Sequence, residues 1–215
     1  MNKVVEQLIP AIVSYVTEHN GYVTKTKLLK LLYLFDVEFF RANQRIFTGF
    51  EWKFFHLGPW TSEYEPIINS LVATGALVEQ SSARSEYDTK FFRSSEHSDL
   101  SRLFPSFAEE AVLRRVLNTW GENSTGEILD YVYFRTEPME HGIRNERLDF
   151  THISQEEPAK YIRNASGVTK KDVKRLRAEL ASRLKDLQGR QTFEFTEPNY
   201  DEQFQVEMDR LEKQN

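Results

Sequence analysis

Residues 26–43 read TKLLKLLYLFDVEFFRAN, and apolar side chains occupy nearly every side of this segment between Leu28 and Phe40. The spacing predicts an α-helix, and a helix that is apolar all round is usually covered on several faces. Thr24 or Thr26 is positioned to cap its first turn. We therefore expect this segment to be the central helix of the fold, with other elements packed around it.

A helix before this central helix and a short strand after it are also predicted. Apolar residues repeat at helical spacing over residues 3–19, and Pro10 marks a point where that helix is kinked or restarted. The run FEWKFFHL at residues 50–57 is aromatic and roughly alternating, which favours a β-strand. Gly58-Pro59 is a typical end for such a strand.

A third helix is predicted directly after that turn. Trp60–Thr74 carries apolar residues at helical spacing. Thr61 or Ser62 is positioned as its cap. Gly75 stands where a left-handed residue usually follows the end of a helix. Both ends of this helix are therefore marked in the sequence.

The rest of the first 150 residues predicts a hairpin and further helices. Residues 76–80 and 87–93 flank a polar segment and favour a β-hairpin. Helical spacing returns over 106–121 and 124–134, the latter beginning with a capping-box pattern. Residues 136–150 contain proline, glycine and dense charge, and we expect an ordered loop there.

These elements predict a mainly α fold. We expect a compact helical domain over residues 1–165, with a small winged-helix-like strand and hairpin element, and a charged helical C-terminal extension over residues 166–215. An apolar stripe in the extension must be covered by something. The residues of this stripe are therefore the first candidates for contact with a protein partner or with a second copy of the chain. The stripe comprises Val173, Leu176, Leu180, Leu184 and Leu187.

Composition narrows the functional classes. The chain has 215 residues, a formal net charge of −5 and no cysteine. The missing thiol excludes disulfides, thiolate nucleophiles and cysteine metal sites, and it suits a cytoplasmic location. The sequence shows neither a signal peptide pattern nor a membrane-spanning run. The acidic balance argues against nucleic acid as the main partner, because affinity for phosphates comes from cationic residues.

The motifs of common enzyme and cofactor sites are missing. No glycine-rich phosphate loop is present, and none of the five histidines has the spacing of a metal-binding pair. We therefore expect no cofactor, no metal and no catalytic residue. An enzyme with a carboxylate/histidine site assembled by the fold remains the alternative, and it predicts that His56, Glu63 or Glu65 shares a polar cleft.

Three residues near the predicted strand are candidates for partner binding. His56, Trp52 and Trp60 lie among aromatic residues around the turn. Such residues usually pack in a core, and a histidine among them is usually half-buried. Aromatic residues near a turn also anchor many protein interfaces. We therefore hold both roles open for these three positions.

A winged-helix DNA-binding regulator is the rival from another class. The helix over Trp60–Thr74 would occupy the place of a recognition helix, yet it contains two glutamates and neither lysine nor arginine. Lys170, Lys171 and Arg175 form a better basic patch. Because an acidic segment follows that patch, a contact within the chain or between subunits explains it more simply.

The stretch from Thr24 to Leu71 resembles the Panacea domain, the SocA-like antitoxin family. The resemblance rests on a K-x-x-K-L-L-Y pattern, on a turn with Gly49, on the aromatic strand and on the glycine-proline pair that opens the next helix. It is clearest over residues 5–80. The residues that match the family motif are Lys27, Lys30, Leu31, Leu32, Tyr33, Gly58 and Pro59.

The resemblance implies a function that composition alone does not name. Members of this family are antitoxins of two-gene toxin–antitoxin systems, often associated with prophages and phage defence, that neutralise a toxin by direct protein contact. One type acts as an adaptor that delivers its toxin to a protease. The resemblance therefore implies a non-enzymatic, cytoplasmic toxin-binding protein. A protease partner and a homo-oligomer stay open, and Trp60 after the glycine-proline pair departs from the pattern, which has a smaller residue there.

Overall fold

The computed structural model describes residues 3–56, 58–81, 90–95 and 100–154. Helices dominate, as the sequence predicts, and the strands are short. In chain order the elements are α1 (Lys3–Glu18), α2 (Lys25–Asn43), β1 (Lys53–Phe55), β2 (Gly58–Trp60), α3 (Tyr64–Ala73), β3 (Leu77–Ser81), β4 (Lys90–Ser94), a 3-10 turn (Leu100–Leu103), α4 (Phe107–Trp120), α5 (Thr125–Arg135) and α6 (Glu137–Glu140).

Helix α2 is the centre of the fold, as predicted. All ten residues from Leu28 to Val37 are buried, and the helix packs against α1, α4 and α5. Its first turn is capped by Thr24, whose hydroxyl oxygen accepts from the backbone N–H of Lys27 at 3.2 Å. It ends at Gln44, which takes a left-handed conformation and donates its N–H to Phe40.

A buried carboxylate shapes the chain that leaves α2. The side chain of Asp36 accepts from the backbone N–H groups of Phe47 and Thr48, both at 3.0 Å, and from the Thr48 hydroxyl. It also accepts from the indole Nε1 of Trp52 at 2.7 Å. Four donors on one carboxylate hold residues 47–52 against the helix and set the start of β1.

The β structure consists of two antiparallel hairpins in the described residues. Strand β1 pairs with β2, and β3 pairs with β4 as the sequence predicts. The second hairpin also contacts the start of α2, because the N–H of Phe92 donates to the carbonyl of Val23 at 2.8 Å. The mainly α fold class is confirmed.

The turn at Gly58-Pro59 differs from the prediction. We expected these residues to end a strand and a helix to begin at Trp60, whereas Gly58–Trp60 forms strand β2. The register pairs Phe55 with Gly58, so the chain reverses before the glycine and returns along β1. Helix α3 consequently begins later, at Tyr64, without a side-chain cap.

Three other predictions can be compared with the structure. Helix α1 runs through Pro10 without a restart, since Pro10 is buried inside it. Gly75 follows α3 with a φ of 77°, as predicted. Residues 136–150 are not all loop, because they include the short helix α6. Within the described ranges, no helix is both long enough and apolar enough to cross a membrane.

Candidate protein-binding surface

The first hairpin is extended by a later segment of the chain. Residues 145–148 run antiparallel to β1, with the N–H of Phe54 donating to Glu146 at 2.9 Å and the N–H of Leu148 donating to Trp52 at 2.8 Å. The N–H of Asn145 donates back to the Phe54 carbonyl at 2.6 Å. The backbones of β2, β1 and residues 145–148 therefore lie side by side, with β1 in the middle.

A buried lysine supports this hairpin from the central helix. The Nζ atom of Lys30 donates to the carbonyl of Pro59 at 2.8 Å. Burial lowers the pKa of Lys30 from 10.5 to about 7, because a charged ammonium is costly to desolvate. Gly58 has a φ of 90°, and a Cβ there would lie 3.7 Å from this amine. Lys30, Gly58 and Pro59 therefore meet in space at the hairpin.

Helix α5 holds the hairpin from the other side. The rings of Phe54 and Tyr133 meet edge to face with centroids 5.9 Å apart. The Tyr133 hydroxyl donates to the carbonyl of His56 at 2.8 Å. Partial burial raises the pKa of Tyr133, so the phenol stays protonated and keeps donating this bond at neutral pH.

Two large apolar side chains beside this contact are exposed. Phe134 follows Tyr133 in α5 and is 75% exposed, and Ile143 is 63% exposed. Ile143 follows Gly142, which packs close to Phe54, since a Cβ on Gly142 would lie 3.1 Å from that ring. We call the set Phe54, His56, Tyr133, Phe134 and Ile143 the hairpin surface.

The three candidates for partner binding occupy different environments. Trp52 is 1% exposed and donates to Asp36, so it belongs to the core and offers no surface to a partner. Trp60 is half-buried with its ring 5.5 Å from that of Phe55. His56 is exposed at the hairpin, where a half-buried histidine was expected.

The other residues of the K-x-x-K-L-L-Y pattern have structural roles. Lys27 is buried, donates to the carbonyl of Gly121 at 2.8 Å and lies 4.3 Å above the ring of Tyr22. Burial lowers its pKa to about 8. Leu31 is fully buried. The Tyr33 hydroxyl lies 3.1 Å from the hydroxyl of Thr136, so this motif joins α2 to the second half of the domain.

The residues proposed for acid–base chemistry have separate local roles. Glu63 accepts from the backbone N–H of Glu51 at 3.0 Å. Glu65 forms an ion pair with Lys25, and its side chain is partly exposed. His56 makes its ring contact with Phe55, at 4.7 Å between centroids. The structure gives each of these residues a different neighbourhood.

Several predicted sites lie outside the described residues. These are the apolar stripe with Leu176, Leu180 and Leu184, and the basic patch with Lys170, Lys171 and Arg175. Both stay predictions. Across the described ranges, no cluster of three or more histidine, aspartate or glutamate side chains could hold a metal ion.

Sequence reasoning missed Tyr133, Phe134 and Ile143. A signal for Phe134 exists, because the buried stripe of α5 runs through Ile128, Leu129 and Val132. A phenylalanine two residues beyond that stripe points away from the core. Ile143 carries no such signal, since it lies in a loop.

The closeness of the motif residues to the exposed side chains identifies the hairpin surface as the candidate site. Gly58 lies beside Tyr133, and Pro59 is bonded to the central helix. Comparison of the chain with protein-family models, with curated proteins and with solved structures finds no match.

Proposed function

We propose that the chain is a non-enzymatic antitoxin that neutralises a protein toxin by binding it through the hairpin surface. The observation that carries the proposal is the exposure of Phe134 and Ile143, which lie next in the chain to residues that contact a hairpin containing Gly58 and Pro59. The resemblance of residues 24–71 to the Panacea domain supports a toxin as the partner.

Exposed apolar side chains supply binding energy when a partner covers them. Complete burial of one such side chain is worth roughly 1.5–3 kcal/mol. Single apolar residues on a surface are ordinary, but the ring of Phe134 lies 6.4 Å from that of the half-buried Tyr133, and Ile143 follows Gly142, which packs close to Phe54. Together they form the kind of aromatic centre that dominates protein interfaces.

The hairpin surface is also held in place before binding. Tyr133 is bonded to His56, Lys30 is bonded to Pro59, and residues 145–148 are bonded to β1. A surface that is already ordered loses little conformational entropy when it binds. This arrangement suits tight sequestration of a partner.

Co-expression with a toxin-like reading frame adjacent to this gene tests the proposal. We expect the wild-type chain to restore growth when that toxin is expressed, and the double variant Phe134→Asp with Ile143→Asp to lose rescue. Phe107→Asp is the matched control, because Phe107 is 79% exposed at the start of α4. Thermal melting should be nearly unchanged in both variants, since each of the three side chains is exposed.

Two results would contradict the proposal, one its function and the other its binding surface. If wild-type chain fails to bind the adjacent gene's product and fails to restore growth, the antitoxin function is wrong. If rescue survives in the double variant, the surface is wrong. A triple variant Leu176→Asp, Leu180→Asp and Leu184→Asp, tested in parallel, decides whether the C-terminal stripe contacts the toxin instead.

Toxin abundance separates sequestration from delivery to a protease. Under sequestration, the toxin level measured by immunoblot after translation is blocked stays constant while the chain is present. An adaptor would shorten the half-life of the toxin. We expect a constant level, because the exposed site is a binding surface.

A further inference from the structure

Two histidines that no local sequence motif relates meet in the structure. His141 follows the last residue of α6, and His152 lies near the end of the described residues. Their ring centroids are 5.2 Å apart and their planes are inclined at 53°, so the rings do not stack face to face. Both residues are exposed, and ions in the solvent can therefore reach the imidazole nitrogens.

A carboxylate lies beside one of the two rings. The Oδ2 atom of Asp149 is 3.4 Å from Nε2 of His152. The other oxygen of that carboxylate accepts from the backbone N–H of Thr151 at 2.8 Å, which holds the carboxylate in place. A carboxylate beside Nε2 favours a proton on that nitrogen and leaves the lone pair on Nδ1. Metal-binding histidines in proteins are commonly oriented by a carboxylate in this way.

The spacing of the two rings matches that of two ligands on one metal ion. In tetrahedral zinc sites a ligating nitrogen lies about 2.0–2.1 Å from the ion, so the centroids of two ligating imidazoles are roughly 5 Å apart. The distance between the centroids of His141 and His152 agrees with this value. The pair supplies two protein ligands, so it differs from the clusters of three or more that the described residues lack.

We propose that His141 and His152 together bind one divalent transition-metal ion that prefers imidazole, such as Zn²⁺, with Asp149 orienting His152 and water completing the coordination. Imidazole suits Zn²⁺, Cu²⁺ and Ni²⁺, whereas Mg²⁺ and Ca²⁺ take oxygen ligands. The bound ion joins the end of α6 to residues 149–152 and closes the loop that carries residues 145–148. Because residues 145–148 pair with β1, metal binding stabilises the support of the first hairpin.

Calorimetric titration of the full chain with Zn²⁺ tests the site. We expect wild type to bind one equivalent, and His141→Gln and His152→Gln each to weaken that binding at least about tenfold. Asp149→Asn should weaken it by about tenfold, because the carboxylate that orients His152 is lost. His19→Gln is the matched control and should leave binding unchanged, since the exposed ring of His19 stacks on Tyr15 and not on a second histidine.

Two further measurements separate a histidine pair from a single histidine. X-ray absorption at the zinc edge should show two imidazole ligands at about 2.0–2.1 Å in wild type and one fewer in His152→Gln. Amide hydrogen exchange at Phe54 and Leu148, whose N–H groups pair β1 with residues 145–148, should slow when Zn²⁺ is added to wild type. It should not respond to Zn²⁺ in either single histidine variant. Circular dichroism checks that all variants are folded.

Several outcomes would overturn the inference. These are binding to wild type no stronger than to the double variant His141→Gln with His152→Gln, unchanged binding in either single variant, or one imidazole ligand in the absorption spectrum. Binding without any change in exchange would overturn the link to the hairpin. The titration contains no toxin, so its result is independent of the proposed antitoxin function, which the growth assay tests.

Discussion

Three side chains that carry a charge in water, Lys27, Lys30 and Asp36, are fully buried in the central helix, and each is satisfied by another part of the chain. Lys27 bonds to Gly121, Lys30 bonds to Pro59, and Asp36 accepts from residues 47–52. Burying a charge is costly unless polar atoms compensate it. These residues therefore specify which loops and strands may lie against the helix.

Lys30 should make stability depend on pH. Its pKa is lowered to about 7 in the folded chain, so between about pH 7 and 10 the unfolded chain binds more protons at this residue. The free energy of unfolding therefore rises with pH in that interval, by up to ~1.4 kcal/mol per pH unit. Lys30→Met should make this slope smaller, and the part that remains above about pH 8 comes from Lys27, whose pKa is lowered to about 8.

Urea unfolding of both proteins between about pH 7 and 9 measures the effect, because that interval lies above the lowered pKa. The exposed Lys3 provides the control, since Lys3→Met should keep the wild-type slope. Parallel pH profiles for wild type and Lys30→Met would show that the amine is not desolvated as the structure indicates.

Asp36→Asn should destabilise the fold by roughly 1–3 kcal/mol, because the amide presents a donor where the carboxylate now accepts from Trp52. Burial raises the pKa of Asp36 to about 6, so unfolding is best measured near pH 8, where the wild-type side chain is ionised. Trp52→Phe should lower the free energy of unfolding by less in the Asp36→Asn background than in wild type. Equal costs in the two backgrounds would mean that the two side chains do not interact.

Among the elements, the first hairpin depends most on segments from elsewhere in the chain. Strands β1 and β2 have three residues each, which is short for an isolated hairpin to be stable. Residues 145–148 add backbone hydrogen bonds along β1, and α5 covers one side with Tyr133. The hairpin surface is therefore a product of three segments.

Gly142→Ala should loosen this hairpin. A Cβ there would lie 2.9 Å from the carbonyl oxygen of Pro138 and 2.9 Å from the Leu148 side chain. Relief of that overlap must shift the segment that pairs with β1, at an expected cost of ~1–3 kcal/mol. Amide hydrogen exchange at Phe54 and Leu148 should become faster.

Gly75→Ala is the matched control for that experiment. Its φ of 77° makes the alanine strained by roughly 1–2 kcal/mol, yet nothing lies within 4 Å of the added Cβ. Exchange at the hairpin amides should be unaffected by this change. If both variants leave those amides equally protected, the hairpin does not depend on packing at Gly142.

At the scale of the described domain, one arginine joins the central helix to the last described segment of the chain. Arg41, at the end of α2, donates to both carboxylate oxygens of Glu137, at 2.8 and 3.0 Å, and to the carbonyl of Ser154 at 2.6 Å. Its side chain is 4% exposed. The central helix is thereby tied to α6 and to the last described residue.

Arg41→Lys should lower the free energy of unfolding by ~1–3 kcal/mol, because lysine keeps the charge but lacks the paired donors. Urea unfolding gives the value. Arg45→Lys is the control, since that side chain is 53% exposed in its pair with Glu109 and should change stability by less than about 1 kcal/mol. Similar losses at the two positions would rule out a special role for the buried pair.

Local signals in the sequence were enough to predict most helices. The cap at Thr24 is one of the two residues expected there, and the capping box at Ser124 is present, because capping joins atoms only three residues apart. The central place of α2 also follows from its own apolar composition. The mainly α fold was therefore predictable from sequence.

The hairpin and its surface depend on contacts between residues far apart in the chain. Gly58-Pro59 looked like the end of a strand because its pairing with Phe55 and Phe54 carries no local signal. The bond from Lys30 to Pro59 joins residues 29 positions apart, and the bond from Tyr133 to His56 joins residues 77 positions apart. Such contacts form only when packing brings the helices together, so only the tertiary structure places Tyr133 and Gly142 against the hairpin.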